Sequence, residues 1–69
     1  MCRNIRKLRR PQGRPTDAEL RDAALQFVRK ISGVRVPSQA NQKVFDDAVL
    51  GVTEVTRGLF RKLKTKQAR

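Results

Sequence analysis

The sequence predicts an all-α protein, an antiparallel hairpin of two helices. A helix-capping signal begins at residue 16, and apolar residues recur at 3.6-residue spacing in two separate segments of the 69-residue chain. A short stretch with a glycine and a proline, residues 33–37, divides these segments. Amphipathic helices joined by so short a loop pack as an antiparallel hairpin. We assign residues 1–15 to a basic leader, 16–64 to the hairpin and 65–69 to a frayed basic tail.

The first helix has clear start and stop signals. Thr16 followed by Glu19 three residues later forms a capping box, and Asp17 adds negative charge where the helix dipole favours it. Gly33 is a left-handed terminator, and Val34 follows it as the hydrophobic contact of a Schellman ending. We therefore expect a helix over about 17–32. Its apolar stripe is Leu20, Ala24, Phe27 and Ile31, widened by Ala23 and Val28.

The second helix is longer and has a less defined start. Pro37 favours an extended connector, after which Ser38 or Asn41 caps a helix that begins between residues 39 and 42 and fades after Leu63. Two glycines, at positions 51 and 58, each cost about 1 kcal/mol of helix propensity, and close approach of another helix is one reason for them. The stripe of this helix is Phe45, Ala48, Val49, Val52, Thr56, Leu59, Phe60 and Leu63, with Val55 at its edge.

Four apolar residues outside these stripes are expected to have a role in packing or association. Ile5 and Leu8, three apart in the leader, are expected to pack the leader against the hairpin. Leu25 projects between Arg21 and Arg29, and Leu50 lies among acidic neighbours, each about 100° or more from its own stripe. These two leucines are either isolated exposed residues or a self-association surface that pairs two hairpins into a four-helix bundle. So short a chain buries little surface, which favours self-association.

Positive charge is concentrated at the ends of the chain. Seventeen Lys and Arg residues against six Asp and Glu give a net charge of +11, and neither residues 3–14 nor 57–69 contain an acid. Such a field attracts polyanions, above all nucleic acid. Three cations at i, i+4 and i+7 of the second helix form a row suited to phosphates. The candidate nucleic-acid contacts are Arg3, Arg6, Lys7, Arg9, Arg10, Arg14, Arg57, Arg61 and Lys64.

Composition argues against several classes of chemistry. The chain has no histidine and a single cysteine, Cys2, so a catalytic triad with an imidazole base, an internal disulfide and an ordinary zinc site are all excluded. Cys2 is interpreted as a small buried residue or a redox-sensitive thiol, and as an N-terminal nucleophile only if Met1 is removed. We expect no enzymatic activity, no cofactor, no metal and no small-molecule substrate. No apolar run reaches the length of a signal peptide or membrane span, so we expect a cytoplasmic protein without a membrane partner.

Several motifs resemble a known family. The opening Met-Cys-Arg-Asn-Ile, an Ala-Leu-Gln-Phe-Val-Arg-Lys helix and a Ser-Gly-x-x-x-Pro-Ser-x-Ala-Asn connector are similar to those of short, uncharacterised bacterial proteins, over residues 1 to about 60. Relatives of this type tend to carry a Leu-Phe-Asn-Phe-Glu-Pro-Pro-like stretch where this chain has arginines in residues 8–15. The resemblance implies no activity.

The sequence is compatible with two functions. The first is a non-enzymatic accessory that binds nucleic acid through phosphate contacts with weak sequence preference. The second is a protein-interaction module, homo- or hetero-oligomeric, with solvated basic tails. The charge favours the first, and the absence of aromatic residues outside the stripes limits it to contacts with phosphates.

Overall fold

A computed structural model describes residues 13–63 as two helices and a short connector. Helix α1 spans Asp17–Ser32, a 3-10 turn spans Gln39–Asn41, and helix α2 spans Gln42–Lys62. No β-strand occurs in residues 13–63. The all-α hairpin predicted from the sequence is confirmed. The predicted packing of Ile5 and Leu8, and most of the predicted leader and tail, lie outside the described residues.

Both ends of α1 are formed by local hydrogen bonds. The Glu19 amide donates to Thr16 Oγ1 at 3.1 Å and the Thr16 amide donates to Glu19 Oε1 at 2.9 Å, which completes the predicted capping box. Gly33 takes a left-handed conformation with φ 77°, and its amide donates to the carbonyl of Arg29 at 2.9 Å. The next amide, that of Val34, donates to Ser32 Oγ at 3.0 Å.

The start of α2 is less strongly capped than α1. The 3-10 turn leads directly into the α-helix, and the side chains of Ser38 and Asn41 make no capping hydrogen bond. The connector is instead tied to α1, since Arg29 Nε donates to the carbonyl of Arg35 at 3.1 Å. This contact holds the chain reversal in place between the two helices.

The two helices meet along one narrow line. Leu20, Ala24 and Val28 are buried on α1 at intervals of four, and Phe45 and Thr53 are buried on α2 eight residues apart. Such i, i+4, i+8 rows are the ridges by which two helices pack. The helices are antiparallel, since Arg57 near the end of α2 pairs with Asp17 at the start of α1.

The buried line is narrower than the predicted stripes. Phe27, Ile31 and Leu59 were expected in the core, yet they are 49%, 66% and 49% exposed. A single neighbouring helix covers only part of an apolar stripe that is wider than 100°. Thr53, which the sequence did not place on the stripe, is only 1% exposed. Its hydroxyl is satisfied within the helix, because it donates to the carbonyl of Val49 at 2.7 Å.

Candidate interaction surfaces

One surface of the hairpin is an open groove between the helices that contains Leu25 and Leu50. Leu25 is half-buried and Leu50 is 53% exposed, and both line this groove of about 520 Å³. The sequence suggested these two leucines as one self-association surface, and the structure places both in this groove. Val49 completes the apolar lining, and the polar lining residues are Arg21, Asp22, Asp46 and Asp47. We call this side of the hairpin the charged face.

Two acids of the charged face are partnered within their own helix. Gln42 Nε2 donates to both carboxylate oxygens of Asp46, at 3.0 and 3.1 Å, and Lys43 Nζ lies 3.1 Å from Asp47 Oδ2. Each pair is spaced i, i+4, the spacing at which side chains of one helix meet. Asp46 is therefore hydrogen-bonded and Asp47 is ion-paired within α2.

Arg57 joins the two helices on the same side. Its Nη1 donates to Glu54 Oε2 at 2.6 Å, and its Nε donates to Asp17 Oδ1 at 3.1 Å. Hydrogen bonds to Glu54 and then to Asp17 raise the pKa of Arg57 above its ordinary value. The guanidinium is thus already held by two carboxylates of its own chain.

This pairing changes the predicted phosphate row. Of its three members, Arg57 is engaged by acids, Arg61 is exposed, and Lys64 lies outside the described residues. Arg14 is exposed three residues before Asp17, the residue that pairs with Arg57, so it lies at the same end of the hairpin as Arg57 and Arg61. The remaining candidate contacts, Arg3, Arg6, Lys7, Arg9 and Arg10, also lie outside the described residues.

The opposite side of the hairpin carries several exposed apolar side chains. Side chains two residues apart on a helix point about 200° away from each other. Because Leu25 and Leu50 share the groove, Phe27 and Val52 must project to the other side of the hairpin. On α1, Ile31 follows Phe27 by four residues. On α2, Ala48, Val55 and Leu59 lie four, three and seven residues from Val52. We call this side the uncharged face and define it as Phe27, Ile31, Ala48, Val52, Val55 and Leu59.

Most of the uncharged face is open to solvent. Ile31 and Val55 are 66% and 73% exposed, and Phe27 and Leu59 are each 49% exposed. Ala48 is exposed and Val52 is half-buried. The sequence analysis found these residues but assigned nearly all of them to the core within one chain. The width of the apolar stripes could have predicted this exposure, since two helices alone cannot cover both edges of each stripe.

The two glycines of α2 have no close partner in the described part of the chain. A Cβ atom built at Gly51 meets no atom within 4 Å, and one built at Gly58 meets only Arg61 Nη2 at 3.6 Å. The packing of α1 on α2 therefore does not require either glycine. The close approach of another helix, which the sequence suggested as a reason for them, does not come from α1.

The described residues offer little for other kinds of site. Within residues 13–63, no three His, Cys, Asp or Glu side chains are placed to hold a metal ion together. No helix in this range has the length and hydropathy to cross a bilayer.

Comparison with known proteins identifies a family. A family model described as an uncharacterised conserved protein, DUF2277, matches residues 1–69. No curated protein and no solved structure matches the chain. The match extends over the whole length and agrees with the resemblance seen in the opening residues, the first helix and the connector. The chain belongs to the DUF2277 family.

Proposed function

We propose that this protein is a non-enzymatic protein-interaction module whose uncharged face packs against another protein. The observation that carries the proposal is the exposure of Phe27, Ile31, Val55 and Leu59 along one side of the hairpin. Contiguous apolar surface of this kind marks interaction sites on small proteins.

Burial of the exposed side chains of this face would contribute a large stabilising free energy for so small a chain. Full burial of a Val, Ile, Leu or Phe side chain contributes about 1.5–3 kcal/mol. Val55 and Ile31 retain most of their exposure in the hairpin, and Phe27 and Leu59 retain about half. The buried apolar residues of the described helices are Leu20, Ala24, Val28 and Phe45. A partner that covered the uncharged face would about double the apolar side chains that are removed from water.

Site-specific photo-crosslinking in cells tests this proposal. A photoreactive phenylalanine analogue replaces Val55 on the uncharged face, and in a matched chain it replaces Leu50, which is 53% exposed on the charged face. We expect a defined protein adduct, identified by mass spectrometry, from position 55 and much less from position 50. No adduct at position 55, or equal adducts at both positions, would remove the proposal.

Nucleic-acid binding is a second candidate, favoured by the distribution of charge. Residues 13–63 carry nine bases against six acids, a net charge of +3, whereas the other eight of the 17 bases lie in residues 1–12 and 64–69. Any phosphate contacts would therefore come mainly from the two terminal segments, with Arg61 as a contributor from α2.

Mobility shifts on unrelated duplexes across a salt series test this second candidate. Binding through phosphates requires log affinity to fall with log salt, by about 0.9 per contact. Arg61→Gln should reduce that slope by about 1, because it removes one contact. Arg57→Gln should reduce it less, since Arg57 is held by Asp17 and Glu54. Duplexes that stay free at about 50 mM salt would exclude this function.

A further inference from the structure

We infer that the partner of the uncharged face is a second copy of this chain, so that two hairpins pack face to face as a four-helix bundle. The inference rests on the proposed function and names its partner. It places the contact on the side opposite Leu25 and Leu50, the leucines to which the sequence assigned self-association. Three features of the hairpin support it.

The first feature is that the hairpin is a single layer. Residues 13–63 contain two helices packed side by side, and no third helix or strand covers either side of them within this range. Stable domains bury their apolar surfaces between two layers, and a second copy placed on the uncharged face supplies the missing layer.

The second feature is the size of the face. Helices of 16 and 21 residues are about 24 and 31 Å long at 1.5 Å per residue. With axes about 8–10 Å apart, their common face is about 20 Å wide, or about 500–600 Å² in projection. A standard stable interface buries about 800 Å² of accessible surface on each partner, and most adventitious crystal contacts bury less than half of that. The projected face is of the right order for a dimer.

The third feature is the placement of charge. The six residues that define the uncharged face are all apolar, and by helical spacing a cation, Lys30, lies next to the face, three residues after Phe27. Two such faces are complementary to each other across a two-fold axis, where each residue meets the same surface of its partner. The groove charges, such as Arg21, Asp22 and Asp46, then stay on the outside of the dimer.

Sedimentation velocity of the full chain over about 1–200 µM tests the inference, because association responds to concentration. We expect a dimer at the upper end of this range. Val55→Glu on α2 and Ile31→Glu on α1 should each raise the dimer Kd by about 100-fold or more, since each forces an unpaired charge into the interface. Leu50→Glu is the matched control on the charged face and should change Kd by less than about threefold.

The controls separate this inference from the proposed function. Circular dichroism should show unchanged helicity in both Glu variants, because Val55 and Ile31 are 73% and 66% exposed. If helicity falls, Val55→Ser and Ile31→Ser replace them, and a Kd unchanged by the serines would overturn the inference. A wild-type monomer at every concentration, or dissociation by Leu50→Glu alone, would also overturn it. In that event a crosslink from position 55 to a different protein would still support the interaction module.

Discussion

The charged and uncharged faces of this hairpin differ in whether their side chains find partners within one chain. On the charged face, Asp46, Asp47 and Arg57 are each satisfied by a residue at i±3 or i±4 or by the neighbouring helix. On the uncharged face, Ile31 and Val55 remain largely in water. Polar groups need only one well-placed neighbour, which a single helix supplies. Apolar groups need a covering layer, which two helices cannot supply to both sides.

The comparison is tested most strongly by a matched pair of phenylalanines. Phe45 is 8% exposed between the helices, and Phe27 is 49% exposed on the uncharged face. Phe45→Ala should lower the free energy of unfolding by about 3–5 kcal/mol, enough to unfold a domain of this size. Phe27→Ala should cost about half of that or less, because half of its side chain is already in water. Chemical denaturation followed by circular dichroism measures both.

The two phenylalanine substitutions are compared in a chain that does not dimerise, so that only contacts within one chain are measured. Both substitutions are made in the Val55→Glu chain, in which the uncharged faces are expected not to pair. Equal losses from Phe45→Ala and Phe27→Ala in that background would show that the uncharged face is covered within one chain. The contrast between the two faces would then be wrong.

The parts of the fold that could be predicted from the sequence depend on neighbouring residues. The bounds of α1 were predicted correctly because the bonds between Thr16 and Glu19, and the turn at Gly33, are formed within a few residues. The start of α2 was predicted only within a range, since neither Ser38 nor Asn41 caps it through its side chain.

The assignment of residues to the core failed where it depended on tertiary contacts. Periodicity identified Phe27, Ile31 and Leu59 as apolar residues that need burial, but it does not say what buries them. Thr53 is the opposite case, a polar residue that is buried. Its hydroxyl donates to the Val49 carbonyl of its own helix, and its side chain is small enough to fit between the helices. One of the two carboxylates around Arg57 belongs to Asp17, which is 40 residues away in sequence, and no local pattern pairs them.

A glycine substitution measures how far the contact surface extends around α2. Gly51 has no described neighbour within 4 Å of an added Cβ, so Gly51→Ala should stabilise the monomer by about 1 kcal/mol through helix propensity alone. Thermal unfolding in the Val55→Glu background measures this gain. Gly58→Ala is the comparison, because its Cβ would lie 3.6 Å from the flexible end of Arg61, an ordinary contact.

The same glycine variants then report on association. If Gly51→Ala weakens the dimer in an otherwise wild-type chain, another helix approaches the backbone at that position and the interface reaches beyond Val55. If the dimer is unchanged, the interface stops at the uncharged face as defined. A loss of monomer stability would contradict the open surroundings of Gly51.

The smallest expected effect concerns the charged face. Arg57→Gln removes the hydrogen bonds to Glu54 and Asp17 that link the end of α2 to the start of α1, whereas Arg61→Gln removes an exposed cation one turn later. Exposed ion pairs contribute little, and salt screens them. We therefore expect Arg57→Gln to lower Tm slightly more than Arg61→Gln at low salt, with the difference vanishing at about 1 M salt, where the Debye length is about 3 Å. Dimerisation should be unaffected by either substitution, because both arginines lie away from the uncharged face. Equal Tm values for the two variants at low salt would show that the Arg57 pairs do not hold the helix ends together, and the charged face would then have no stabilising role beyond keeping its own charges solvated.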